Sequence, residues 1–283
     1  MLLTAMLIPE TADAQRRRRR SETTSSNAVT TATRNAASTA SGNTARTTAK
    51  NSGGNNSSKT KITVAKPDLE EVMKVTLNPS NKYYYPKLWE KYERNDTTMT
   101  PDEYRYLYLG YMFQEDYDPY RESKHSDAVD EMRNSVDIQK ASKAELDKLI
   151  ENAEKALDDN PFDLRQMSFL VYVLKQRKKE MKSKIWEYRL EHLLGAIKST
   201  GTGESVENAW FVIYPMHEYD MIQLLGYEAT DVEYIAPGYD HLIVKPDGST
   251  THRNPAKGFY FNVVVPQQQY ELKHPEEDTS DNA

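Results

Sequence analysis

Cysteine is missing from all 283 residues. That single absence excludes disulfides, thiol nucleophiles, zinc–thiolate sites and iron–sulfur ligation. It also removes the residue on which a bacterial lipoprotein carries its lipid anchor. Histidine is scarce, with six in the chain, and none stands in the H-E-x-x-H pairing that sets two imidazoles on one helix face. There is no phosphate-cradling P-loop, no dinucleotide fingerprint and no G-x-S-x-G elbow. Past the N-terminus no apolar run approaches the ~20 residues of a membrane span. The sequence therefore predicts no metal, no cofactor, no membrane span and no catalytic residue.

What is present begins with an unusual N-terminus. Leu2 to Ile8 is apolar, the small-residue triplet Ala12-Asp13-Ala14 follows, and then come five arginines, Arg16 to Arg20. An apolar run closing on an A-x-A site reads as a signal-peptide-like segment over residues 1–14. Residues 15–66 are a low-complexity Arg/Ser/Thr/Asn-rich linker, too poor in large apolar side chains to pack a core, and are read as disordered. The expected location is the periplasm or the outside of the cell, without a lipid anchor. Two features favour the alternative, a cytoplasmic protein with a basic arm. No positive stretch precedes the apolar run, which sets the expected start upstream of Met1, and arginines behind such a run oppose translocation. Charge is divided. Residues 1–66 hold eleven Lys/Arg against three Asp/Glu, whereas the remainder is strongly acidic. The arginines suit phosphates, but an acidic body argues against nucleic acid as a partner.

Between 67 and 204 the pattern is helical. Thr100, Pro101 and Glu103 combine an N-cap, a first-turn proline and a capping-box glutamate. Behind them Tyr104, Leu107, Tyr108 and Tyr111 keep the spacing of one helix face. Residues 114–141 are polar and irregular. Ser142 and Glu145 form a second capping box, with Leu146, Leu149, Ile150, Ala153 and Leu157 on one stripe. Asn160-Pro161 separates that helix from the next, an antiparallel hairpin that lacks the sustained period of a solenoid repeat. Lys175 to Lys184 is basic, and Gly201 and Gly203 end the helical period. From 205 to 274 the character is β-rich, with strands expected at Trp210–Tyr214, Asp231–Ile235, Tyr239–Lys245 and Gly258–Val265, and a short helix at His217–Leu225. An acidic tail occupies 275–283. The predicted class is α+β, with an N-terminal helical bundle of helix hairpins packed on a small, mainly antiparallel C-terminal sheet and preceded by a disordered tail.

The chain has nineteen tyrosines, and ten of them fall in residues 83–120. They suit a stacking platform for a flat ligand, or a helix–helix interface, and the helical spacing favours the interface. The acidic loop Glu115-Asp116-Tyr117-Asp118 lacks the glycine and terminal glutamate of a calcium loop and reads as solvated. The residues picked out for ligand binding are Tyr111, Tyr117, Tyr120, His217, Asp240 and His241. They fit a non-catalytic binding or interaction module with an aromatic-lined cleft between helices and sheet, serving a peptide, glycan or protein partner. One alternative is a hydrolase using His217 with Asp220 or Asp240. Another is a structural spacer without a ligand.

Several stretches carry a family likeness. Tyr85-Pro86-x-Leu88, Met99-Thr100-Pro101-Asp102-Glu103-Tyr104-Arg105, Tyr106-Leu107-Tyr108-Leu109-Gly110 and Tyr117-Asp118-Pro119-Tyr120 resemble domain-of-unknown-function family 4919, found in exported Bacteroidetes proteins. Tyr239-Asp240-His241-Leu242-Ile243-Val244 and Phe259-Tyr260-Phe261 are similar to its closing strands. The resemblance covers about residues 70–266. It implies a host group and an envelope location, but no activity and no site residues.

Overall fold

Local capping sets where the helices start. Asp68 accepts the backbone N–H groups of Glu70 and Glu71 and opens α1, Leu69–Thr76. Helix α2, Tyr85–Glu93, has Pro86 in its first turn. Both halves of the Thr100/Glu103 box form at the start of α3, Pro101–Gly110, with the Thr100 N–H 2.8 Å from the Glu103 carboxylate. The Ser142/Glu145 box opens α5, Lys143–Asp159, in the same way. Asp163 caps α6, Leu164–Gln176, by accepting the Gln166 N–H. The remaining helices are α4, Ser126–Ser135, α7, Glu180–Lys198, α8, Met216–Leu224, and α9, Val264–Lys273. The computed structural model describes residues 64–120 and 123–273. The signal-like segment 1–14, all but the last three residues of the linker and the acidic tail 275–283 lie outside the described residues.

Among the described residues there are four strands: β1, Trp210–Phe211, β2, Tyr227–Ile235, β3, Tyr239–Pro246, and β4, Gly258–Asn262. Their order is β1-β4-β3-β2. Pairs β2–β3 and β3–β4 are antiparallel, and the short β1 joins β4 in parallel. The class is α+β with a mainly antiparallel sheet, as the periodicity predicts. Several elements differ: β1 ends at Phe211, short of the expected Tyr214, and β2 begins at Tyr227, four residues before the expected Asp231. Helix α4 lies inside the stretch read as irregular. The last predicted strand stops at Asn262, whose side chain accepts the Val264 N–H at 3.2 Å and so begins α9.

One hydrophobic core runs from Val72 on α1 to Val263 behind β4. Phe162, fully buried in the α5–α6 turn, sits near its middle, with the rings of Trp89, Tyr92, Tyr108 and Tyr111 between 5.2 and 6.2 Å away. The tyrosines around Phe162 are therefore packing groups; the Tyr92 hydroxyl donates to the Pro161 carbonyl at 3.1 Å, whereas the buried Tyr85 hydroxyl forms no hydrogen bond among the described residues. Gly203 takes φ +73° against the Trp210 ring, a conformation and an approach that a side chain would obstruct. Trp210 donates its Nε1–H to the Gly201 carbonyl at 3.0 Å.

The chain enters the body through a clasp. The Ala65 N–H donates to the Ser199 carbonyl at 2.9 Å, and Arg105 bridges the Ser199 and Ala65 carbonyls at 2.6 and 2.7 Å. Among the described residues no helix is long and apolar enough to cross a membrane.

Candidate functional site

His217 stands in the first turn of α8 and is buried. Its Nε2 lies 2.8 Å from the Phe162 carbonyl, which can only accept. The imidazole proton therefore sits on Nε2, and Nδ1 accepts from the Tyr108 hydroxyl at 2.7 Å. That hydroxyl accepts in turn from the Ile213 N–H at 3.2 Å. The bonds run in one direction and saturate the ring. Burial lowers the imidazole pKa from 6.5 to about 4, against the opposing effect of the Phe162 carbonyl. His217 is thus a neutral pin joining α3, the α5–α6 turn and α8. Neither of its nitrogens bonds a carboxylate, so it lacks the oriented base–acid pairing of a hydrolytic site.

Asp220, one turn further along α8, is turned to Arg165, whose Nε lies 3.2 Å from the carboxylate. Burial raises this carboxyl from 3.8 to about 6, although the Arg165 charge pulls it down. Arg133 on α4 pairs with Asp130 at 3.1 Å and reaches the Gln166 side chain at 3.2 Å. Its guanidinium lies 4.5 Å over the Phe169 ring. With Asp163 at the α6 cap these groups form a charged cluster that ties α4, α6 and α8 together. The sequence reading missed Arg133 and Arg165, because their partners lie on other elements.

The six picked residues do not gather in one place. Tyr111 is buried, with its ring 5.2 Å from Phe162 and 5.6 Å from Tyr117. Tyr117 is buried as well and donates its hydroxyl to the Ile213 carbonyl at 2.6 Å. Tyr214 links both to His217, with ring distances of 6.3, 6.4 and 5.0 Å. These three are brought together, but inside the core. Tyr120 is half-buried against Tyr270 of α9 at 5.0 Å. Asp240 and His241 are neighbours on β3, so they point to opposite faces. Asp240 is buried on the inner face. His241 lies on the outer face, stacked on Tyr260 at 4.2 Å and 7°, with Nδ1 3.1 Å from Glu233. Among the described residues no group of three or more metal-ligating side chains gathers.

An open site lies elsewhere. A groove of about 190 Å³ is lined by Asn95, Glu154, Lys182, Ile185, Trp186 and Arg189. Arg189 is the fixed cation of this lining. The guanidinium lies 4.5 Å over Tyr92 and 4.7 Å over Trp186, and Nη2 donates to the Tyr92 and Glu93 carbonyls at 2.8 and 3.2 Å. A cation thereby caps the C-terminus of α2 and is held flat by two aromatic faces. Asn95, at φ +56°, turns the chain away just beyond. Lys182 reaches Glu154 at 3.1 Å across the groove. On α7 beside it, Met181 is 73% and Ile185 39% exposed. Only the α7 wall has a local signal in the sequence, Met181 and Ile185 four apart at the end of the basic run Lys175 to Lys184.

The fold so described is an α+β body without an assembled catalytic centre among its described residues. A model for a domain of unknown function, DUF4919, matches residues 70–272, and the chain belongs to that family. No curated protein and no protein of solved structure matches it.

Proposed function

We propose that this chain is a non-catalytic binding module, exported in a Bacteroidetes host and acting in the periplasm or outside the cell. The observation that carries the binding reading is the groove on α7, where Trp186 and Ile185 line a surface beside a fixed arginine, with the exposed Met181 one turn away on the same helix. Aromatic, methionine and arginine side chains are the types enriched in binding surfaces. The groups a hydrolase would need support the same reading, since His217 is saturated by hydrogen bonds and Asp220 is held by Arg165. Export rests on the apolar run, the A-x-A triplet and the family likeness.

Thermal unfolding of the full chain against a panel of peptides and oligosaccharides tests the binding reading, with Ile185→Asp run in parallel. A ligand at 100 times its Kd adds about 2.7 kcal/mol of stability. A shift in the wild type that is lost in Ile185→Asp supports the groove. A panel that moves neither protein favours the spacer. Fractionation of the host tests export: deletion of Leu2–Ile8 should leave the chain in the cytoplasm, and an unchanged distribution would make it a cytoplasmic protein.

A further inference from the structure

Building on the binding reading, we infer that the α7 groove takes an acidic amphipathic helix of a partner protein. The turn between α6 and α7 is a basic island on an acidic body. Lys175, Arg177, Lys178, Lys179, Lys182 and Lys184 crowd it, with Glu180 as the only acid between them. Carboxylates from other positions meet four of the six: Glu187 takes Lys175, Asp147 takes both Arg177 and Lys179, and Glu154 takes Lys182, all between 2.8 and 3.1 Å. Lys178 and Lys184 are exposed and form no ion pair among the described residues. One carboxylate serving two cations leaves the face short of negative charge.

The apolar part has a definite shape. Met181 and Ile185 stand one turn apart on the exposed side of α7. At about 100° per residue Lys182 falls to one side of that pair and Lys184 to the other. An apolar seam bordered by lysines is half of a helix–helix contact of the coiled-coil type. The other half is a helix with its own apolar seam bordered by Asp or Glu. A second copy of the same face does not fit, because lysines would meet lysines. Nor does an anionic bilayer, because Met181 and Ile185 are far short of the broad apolar face by which a helix lies in a membrane interface. Two helical turns bury far less than a standard interface of about 1,600 Å², so the contact should be weak and fast to dissociate.

The probe is a synthetic three-heptad peptide with Leu at the seam and Glu on its borders, set against its Lys-bordered counterpart and against phosphatidylcholine–phosphatidylglycerol vesicles. Binding to the full chain is read by titration. The Glu peptide should bind, more weakly as salt rises, and both Met181→Asp/Ile185→Asp and Lys178→Glu/Lys184→Glu should weaken it at least about tenfold. The replaced side chains are exposed, and an unchanged melting temperature confirms that each variant folds. Absence of binding, equal binding by wild type and variants, preference for the Lys peptide, or preference for vesicles each overturns the inference. If a panel ligand still shifts the wild type but not Ile185→Asp, the groove remains a binding site and only its acidic-helix occupant is wrong.

Discussion

At the scale of single residues, His217 and Asp220 impose opposite pH dependences on the same body. The His217 imidazole titrates near 4 when folded and 6.5 when unfolded. Between those values only the unfolded chain binds the proton, so stability is lost as pH falls from 6.5 to 4. Asp220 titrates near 6 when folded and 3.8 when unfolded. There the folded chain binds the proton, so stability is lost as pH rises from 3.8 to 6. Each shift is worth about 3 kcal/mol, and over the shared window the two offset. Asp220→Asn removes one of them. Between pH 6.5 and 4.5 that variant should lose about 2–3 kcal/mol more than wild type, measured as urea midpoints at the two pH values. Equal losses in both proteins would show that the buried pair does not titrate this way. Tyr108→Phe tests the pin itself. It strands the His217 Nδ1 and the Ile213 N–H inside the core, and should cost about 2–5 kcal/mol in urea unfolding.

At the scale of elements, what could be read from sequence was what is locally encoded. The starts of α3 and α5 were legible because Thr100/Glu103 and Ser142/Glu145 satisfy backbone groups three residues away. Helix α4 was not. Its ten residues offer one fully buried side chain, Val129, and it is held by Arg133 reaching across to Gln166. A tertiary tie of that kind leaves no periodicity to find. The end of β4 was readable but misread, since Asn262 turns its side chain onto the Val264 N–H and Pro266 is tolerated in a first helical turn. The opposite faces of Asp240 and His241 also follow from strand alternation alone. The groove was out of reach, because its walls come from the end of α2 and from α5 and α7.

The entry clasp makes a prediction at this same scale. Deletion of residues 1–63 keeps Ala65 on Ser199 and Arg105, whereas deletion of 1–66 removes both Ala65 bonds and leaves the Arg105 guanidinium and the Ser199 carbonyl bonded only to each other and to the Ser199 hydroxyl. The shorter protein should be less stable by about 1–3 kcal/mol. Adding Arg105→Ala to both should shrink that difference, and chemical unfolding of the four proteins measures it.

For the molecule as a whole, the single core joining helices to sheet implies a single cooperative transition. Far-UV and near-UV circular dichroism should superpose on heating, and two separated transitions would break that expectation. Phe162→Ala removes the ring around which four aromatic neighbours gather. It should cost about 3–5 kcal/mol and lower the one melting temperature without splitting it.

The placement of the three tryptophans gives the protein an optical reporter. Trp210 is buried and tied through its indole N–H to Gly201, and Trp89 lies inside the aromatic cluster beside Phe162. Trp186 alone lines the groove, with a guanidinium against its ring. Emission from the buried Trp210 is fixed by the core, while the half-buried Trp186 changes its surroundings when something covers the groove. A partner seated on α7 would draw the spectrum to shorter wavelength without any dye attached, and Trp186→Phe would silence that change while leaving the interior signal in place.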